Sequence, residues 1–403
     1  MLLKSTHIFV GGCFLSGALL LQKGRITAIY PEDSKLPQDE EFLDYGDRRI
    51  LPGLFDIHTH GYRGWAARAG TQAAIEGFSM AIASAGVTSF LPTVGEHCPQ
   101  EKQILQAIAA ARNFHKGANV LGAHMEGPFL NPKRHGGFFP EQFLAPSVTD
   151  AAALLDAADG AVRYMTFSPE LDGADALQRY LQCRGVIVSA GHTDATAAEM
   201  QRAIACGLQA STHTGNAMRQ IDRRDIGALG AALLDKNLYN EIICDFVHLS
   251  PEMLRLMFQL KGSMDRFIVV SDSDEISGQA PGTYRIDGVM YRLTPEGAIL
   301  LEDGTLFGSC KDVLFGLKNL VEALHVPFAD ALAACTIHPA QLLGCSEHKG
   351  TLQPGKDADL VVLEDDYIVA ATYVMGRCVY RKGMPLPENQ DFLRRCRSLG
   401  KEE

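Results

Sequence analysis

The chain is poor in the features that mark several function classes. No uninterrupted apolar stretch of about 18 residues or more occurs, so no membrane span is signalled. Its ten cysteines form no C-x-x-C pair, which removes a zinc ribbon and a redox dithiol and leaves reduced, mostly buried thiols. There is no basic excess. At a net charge of −11 the chain is not a general binder of phosphate backbones, and nucleic acid is not an expected partner. A small anionic ligand would need a local basic group. No G-x-G-x-x-G follows an early strand, which argues against a doubly wound dinucleotide fold. The apolar stretch FVGGCFLSGALLL (9–21) is interrupted by glycines, lacks an A-x-A site and runs into QKGRITAIY, which reads as a strand; the cytoplasm is therefore the expected location.

What is present is a long chain of ordinary globular composition: 403 residues, 46% hydrophobic and 21% charged. That length suits an α/β barrel of about 250 residues plus a smaller module. Residues 1–50 read as short strands with turn signals (THIFVGG, ALLLQKG, RITAIY), and so does the far end (ADLVVLEDD, YIVAATYVMG, RCVYRKG). The expectation is one small β-sandwich module built from residues 1–50 and 351–403 around a catalytic domain spanning 51–350.

Inside that frame, buried apolar runs alternate with Ala-rich helical stretches. The runs are LFDIHTH (54–60), VTSFLPT (87–93), NVLGAHMEG (119–127), VRYMTFSPE (162–170), GVIVSAGH (185–192), QASTHTG (209–215), EIICDFVH (241–248) and RFIVVSD (266–272). Eight such units, with helices such as TQAAIEGFSMAIASAG and SPEMLRLMFQL between them, give the pattern of a (β/α)8 TIM barrel. Residues 273–308 follow as a long Gly-rich, polar excursion at the barrel mouth.

Barrel active sites lie at the C-terminal ends of the strands, so the residue types there decide what chemistry is open. Strand one ends in His58 and His60, three in Glu126, five in His192, six in His213, seven in His248 and eight in Asp272. A lone His-x-His says little, because 13 histidines in this length give about 0.4 such pairs by chance. Convergence on one rim says more. Strand alternation puts 58 and 60 on one face, about 6.6–7 Å apart at the backbone, within reach of one ion. Glu126 can bridge two ions, and His192 and His213 on neighbouring strands can complete a second site. Asp272, the first acid after FIVV, can take the proton of a metal-bound water and return it to a leaving amine. A cap or salt-bridge role for Asp272 remains open, and Asp274 and Glu275 read equally as solvated loop acids.

Taken together, LPGLFDIHTHG, GVTSFLPT, GAHMEGPFLNP, VSAGHTDAT, THTGNAM, FIVVSD, GTLFGS and KGTLQPGKDADLVVLE resemble, in order, the blocks of the amidohydrolase superfamily and, within it, of the N-acetylglucosamine-6-phosphate deacetylases. The resemblance implies metal-dependent hydrolysis of the N-acetyl amide of an amino-sugar phosphate. Hydroxide on the ion would attack the carbonyl, with Asp272 as base and then acid. It implies one or two divalent ions, zinc first and iron or manganese as alternatives. Glu126, His192 and His213 match the principal ligands; His58 and His60 match a pair that serves an optional second ion. Gly137, Asn216, Ala217, His248 and the backbone of Leu306, Phe307 and Gly308 match substrate contacts. Arg224 matches a phosphate-binding arginine that a neighbouring subunit can supply, which implies a homodimer.

The chain also departs from that pattern. Phe138 stands where the family has a histidine that polarises the carbonyl, and a phenyl ring donates no hydrogen bond to an oxyanion. His135 or a second ion are candidates to compensate. Phe307 replaces a usual small residue, and GYRGWAA replaces a Gly-rich acidic stretch. Arg223 and Arg224, flanked by Asp222 and Asp225, also read as a solvated charge run. Two alternatives therefore stay open: hydrolysis of another small N-acyl or cyclic amide, and a lapsed paralogue that only binds a sugar phosphate.

Overall fold

The computed structural model describes residues 1–95 and 98–397. The last six positions assigned above to the terminal module, 398–403, lie outside the described residues. Eight parallel strands carry the centre of the molecule: β1 (Leu54–Thr59), β2 (Val87–Val94), β3 (Ala123–Glu126), β4 (Val162–Phe167), β5 (Ile187–Ala190), β6 (Ala210–Ser211), β7 (Tyr239–Ile242) and β8 (Phe267–Val269). Each pairs with the next in chain order from β1 to β8. The seam between β8 and β1 is closed just above the strands. There the Asp272 N–H donates to the His58 carbonyl at 2.9 Å, and the His60 N–H donates to the Ser273 carbonyl at 2.8 Å. Phe55, Leu91, Tyr164, Ile187, Tyr239 and Ile268 come from six different strands yet form one buried cluster, which only a closed barrel brings together. This is the TIM barrel expected from the eight runs.

Helices of the outer layer include α1 (Gln72–Ala83), α2 (Glu101–Ala111), α3 (Val148–Ala157), α4 (Ala174–Cys183), α5 (Ala197–Ala205), α6 (Gly227–Leu234), α7 (Pro251–Lys261) and α8 (Val313–Glu322). Their starts follow local chemistry. Thr71, Ser147, Ser250 and Asp312 each accept a hydrogen bond from the first turn, and Thr196 with Glu199 forms a reciprocal capping box. The buried faces, with Ile75, Phe78, Leu105, Leu155, Leu177, Leu254 and Leu317, pack on the strands in the largest core cluster.

The termini meet as expected. Strands within 2–52 and 360–381 join in one eight-stranded sheet, Leu360–Leu363 lying antiparallel to Arg49–Pro52. Ile26 near one edge and Ala371 and Tyr373 near the other share one core cluster, so the sheet folds over on itself. Lys349, buried between Asp357 and Asp359, ties this sheet to the barrel, because Asp359 also accepts from Asn119 at 3.1 Å.

The excursion after β8 is more ordered than its composition implies. It forms four antiparallel strands, Gly282–Ile286, Val289–Leu293, Ala298–Leu301 and Leu306–Ser309. The first pair turns through Asp287 and Gly288, both at left-handed φ (52° and 87°), the conformation that a two-residue hairpin turn demands. A C-terminal helix (Gln390–Arg397) packs on this small sheet, with Phe392 buried among Ile276, Ile286 and Tyr291. Among the described residues, no helix is long and apolar enough to cross a membrane.

Candidate metal centre at the barrel mouth

Strand ends bring six of the expected side chains to one point, and Glu126 lies at its middle with each carboxylate oxygen facing a different group. On the Oε2 side, His58 Nε2 lies at 3.2 Å and His60 Nε2 at 3.0 Å. Asp272 Oδ1 stands 3.3 Å from His58 Nε2 and 3.5 Å from His60 Nε2. On the Oε1 side, His192 Nε2 is at 3.1 Å and His213 Nε2 at 3.0 Å, and the two nitrogens are 3.1 Å apart. Donors held at about 2.0–2.1 Å around a tetrahedral ion stand about 3.3–3.4 Å from one another, close to this spacing. Two sets of side chains can thus hold a metal, one of four donors and one of three, sharing Glu126.

The hydrogen-bonding pattern agrees with ligation. His58 is fully buried, and its Nδ1 donates to Glu241 Oε2 at 3.1 Å, which turns Nε2 toward the carboxylates. That Nε2 has no hydrogen-bond partner, a costly condition for a buried nitrogen unless it binds something else. His192 donates through Nδ1 to the Arg134 carbonyl at 2.8 Å, aiming its Nε2 at Glu126. Burial alone would pull His58 and His60 down. The facing Glu126 and Asp272 carboxylates override it, holding His58 well above the usual imidazole range and His60 at about 9. Burial pushes Glu126 and Asp272 up, yet the His58 charge and hydrogen bonds from the neighbouring imidazoles keep both below the ordinary carboxylate range. His192, His213 and Asp272 also share a left-handed backbone (φ 47°, 28° and 49°), a conformation concentrated at functional sites.

Above the ligand cluster opens a cavity of about 310 Å³. Gly137, Phe138, Asn216, Ala217, His248, Leu306, Phe307 and Gly308 all line it, together with five of the six candidate ligand residues. His58 lies beneath, outside the lining. The Phe138 ring leans over His192 with centroids 5.1 Å apart. His135 is exposed and turned away, its Nδ1 donating to the Phe138 carbonyl at 3.0 Å. Arg224 is exposed on its loop and is not among the cavity's lining residues.

Glu241 and His124 stand outside the strand-end pattern read above, and Asp274 and Glu275 depart from the solvated loop expected of them. Glu241, fully buried, orients His58 and accepts the His213 backbone N–H at 3.1 Å. His124, two residues before Glu126, donates or accepts toward Thr166 at 2.8 Å; burial and the adjacent His58 push its pKa well below the usual value, so it is neutral. Asp274 and Glu275 are buried rather than solvated, and Asp274 lines the cavity. The available signal for Glu241 was an acid at the head of the apolar run EIIC, in a strand buried at every position.

Residues 49–379 match the Amidohydrolase family. Over 373 residues the chain is 32% identical to an N-acetylglucosamine-6-phosphate deacetylase of Bacillus subtilis, covering 91% of this chain and 93% of that protein. An N-acetylgalactosamine-6-phosphate deacetylase of Escherichia coli O157:H7 is 29% identical over 361 residues, or 89% of this chain and 93% of that one. The solved N-acetyl-D-glucosamine-6-phosphate deacetylase of Mycobacterium smegmatis, a mutant in complex with N-acetyl-D-glucosamine-6-phosphate, superposes with a TM-score of 0.85 at 28% identity, covering 94% of this chain and 99% of that one. With its closed barrel, its mouth-rim ligand cluster and this match over most of its length, the chain belongs to the amidohydrolase family, hydrolases acting on carbon–nitrogen bonds.

Proposed function

We propose that this chain hydrolyses the N-acetyl amide of an amino-sugar phosphate, releasing acetate and the free amine, with divalent ions held on Glu126. The observation that carries the reading is the split carboxylate of Glu126, with nitrogen donors at 3.0–3.2 Å from each oxygen. We assign Glu126, His192 and His213 to one ion and His58, His60, Glu126 and Asp272 to a second. Zinc is our first choice, with iron and manganese as alternatives of similar ligand preference. A divalent ion there would supply a nucleophilic water at neutral pH and draw electrons from the amide carbonyl. Asp272 takes the proton of the attacking water and returns it to the nitrogen as the C–N bond breaks. Asn216, His248 and the Leu306–Gly308 backbone orient the sugar beneath Phe138. Residues 1–50 and 351–403 form the supporting module, and 51–350 the catalytic domain.

Among the described residues lining the cavity there is neither lysine nor arginine. We therefore assign the phosphate to Arg224 of a second copy in a homodimer, its guanidinium fork matching phosphate oxygens. All ten cysteines are free, which supports a reducing compartment, and we place the protein in the cytoplasm. The same lack of a lysine or arginine, with Phe138 and Phe307 in the wall, favours a second reading: a small N-acyl substrate without phosphate. Acetate release from N-acetylglucosamine 6-phosphate, N-acetylgalactosamine 6-phosphate and their unphosphorylated forms separates the two. The first reading expects a kcat/KM at least about tenfold higher for a phosphorylated sugar, in keeping with a charge-assisted contact; equal rates favour the second.

A further inference from the structure

The stretch GYRGWAA after β1 and the excursion after β8 meet at Glu275, three residues beyond Asp272. Its carboxylate is buried, and two guanidiniums from distant parts of the chain reach it: Arg68, and Arg395 of the C-terminal helix at 2.8 Å. A buried carboxylate keeps its charge only with such partners. The backbone of the same residue holds the strand-one tail, for its carbonyl accepts the Gly64 N–H at 2.6 Å. Two residues earlier, the Ser273 carbonyl accepts from His60 at 2.8 Å and from Gly61 at 3.1 Å.

The C-terminal segment grips that tail from outside. Trp65 Nε1 donates to the Pro387 carbonyl at 3.0 Å, and Asn389 Nδ2 donates to the Gly64 carbonyl at 2.7 Å. Phe392 lies so close to Gly64 that a Cβ there would stand 2.8 Å from its ring, and Gly64 has a left-handed φ of 86°. His192, on the other side of Glu126, is oriented by the Arg134 carbonyl instead.

We propose that the C-terminal helix is a clasp, with Arg395 a positioning residue that acts through Glu275 on His60 and Asp272 and tightens the four-donor cradle without affecting the three-donor one. The inference rests on the reading that ions sit on both sides of Glu126. Removing a group that orients metal ligands typically weakens metal affinity by about 10–100-fold. In equilibrium dialysis of the full-length, metal-stripped protein against Zn²⁺, Arg395→Met should lower one of two affinities by about that factor and leave the other unchanged. Its kcat should fall with KM unaltered, and Arg395→Lys should recover most of both. Phe392→Ala, which loosens the same grip, serves if Arg395→Met does not fold. Unchanged affinities and kcat in the substituted protein overturn the clasp, as does an equal weakening of both ions, which a merely structural role would produce. Uptake of a single ion by the unsubstituted protein overturns the two-cradle reading instead, and the split between kcat and KM then decides the clasp alone.

Discussion

The two halves of the Glu126 site differ in how many donors each could offer an ion: four on the Oε2 side and three on the Oε1 side. The Oε2 half gathers four donors at the ends of β1, β3 and β8, His58 and Glu126 buried and His60 and Asp272 facing the cavity, and Glu241 braces its His58 as it does the His213 backbone of the other half. The Oε1 half has three donors at the ends of β3, β5 and β6, all buried, and its imidazoles border the same cavity as His60 and Asp272, so the halves differ in donor number. A filled set holds an ion in place, whereas a three-ligand set keeps a position for water or substrate. The contrast teaches that one shared carboxylate can serve both ends, and it assigns the indispensable chemistry to the half with fewer protein donors.

The sharpest way to break this comparison is to remove what the halves share. Glu126→Ala should abolish binding of both ions and lower kcat by at least about 10³-fold, as loss of both charge stabilisation and the activated water demands; bound metal measured by elemental analysis checks it. Asp272→Asn should lower turnover by about 10²–10⁴-fold, the usual span for a general acid–base group, while one ion remains bound per chain. His60→Ala should remove the Oε2 ion selectively and retain the Oε1 ion, with a smaller loss of kcat than either; equal loss of both ions would erase the distinction. Glu241→Gln should weaken the Oε2 ion by about tenfold, read by zinc competition with a chelator, because His58 keeps its place but loses a charged partner. Lys349→Met lies far from both halves and serves as the control. It should cost about 3–5 kcal/mol of stability by leaving Asp359 buried without its partner, seen as a lower Tm with the metal content intact.

The parts of this site that were legible in the sequence are those fixed by period and position. Eight apolar runs mark eight strands, and the polar residues that close six of those runs fall on the rim. His58, His60, Glu126, His192, His213 and Asp272 are all of this kind. Glu241 escaped because the seventh strand starts at Tyr239, two residues before the run EIICDFVH, so an acid read as a strand start is an interior residue in mid-strand. Glu275 escaped for a different reason. Its burial depends on Arg68 and on Arg395, more than a hundred residues away, and no local pattern reports so distant a partner. Residues 273–308 looked like loop by composition, yet Asp287–Gly288 carried a hairpin signal that the surrounding glycines obscured. Phe138 was legible as a substitution, and its consequence became visible only in the ring leaning over His192.

Whether metal on Glu126 drives hydrolysis of an N-acetyl amide is decided by titrating the metal-stripped protein with Zn²⁺ while following acetate release from N-acetylglucosamine 6-phosphate at each addition. Turnover should be absent without metal, most of the rate should return as the Oε1 side fills, and none should return in Glu126→Ala. Turnover by protein shown to be metal-free, or restoration in Glu126→Ala, would contradict that role of the metal.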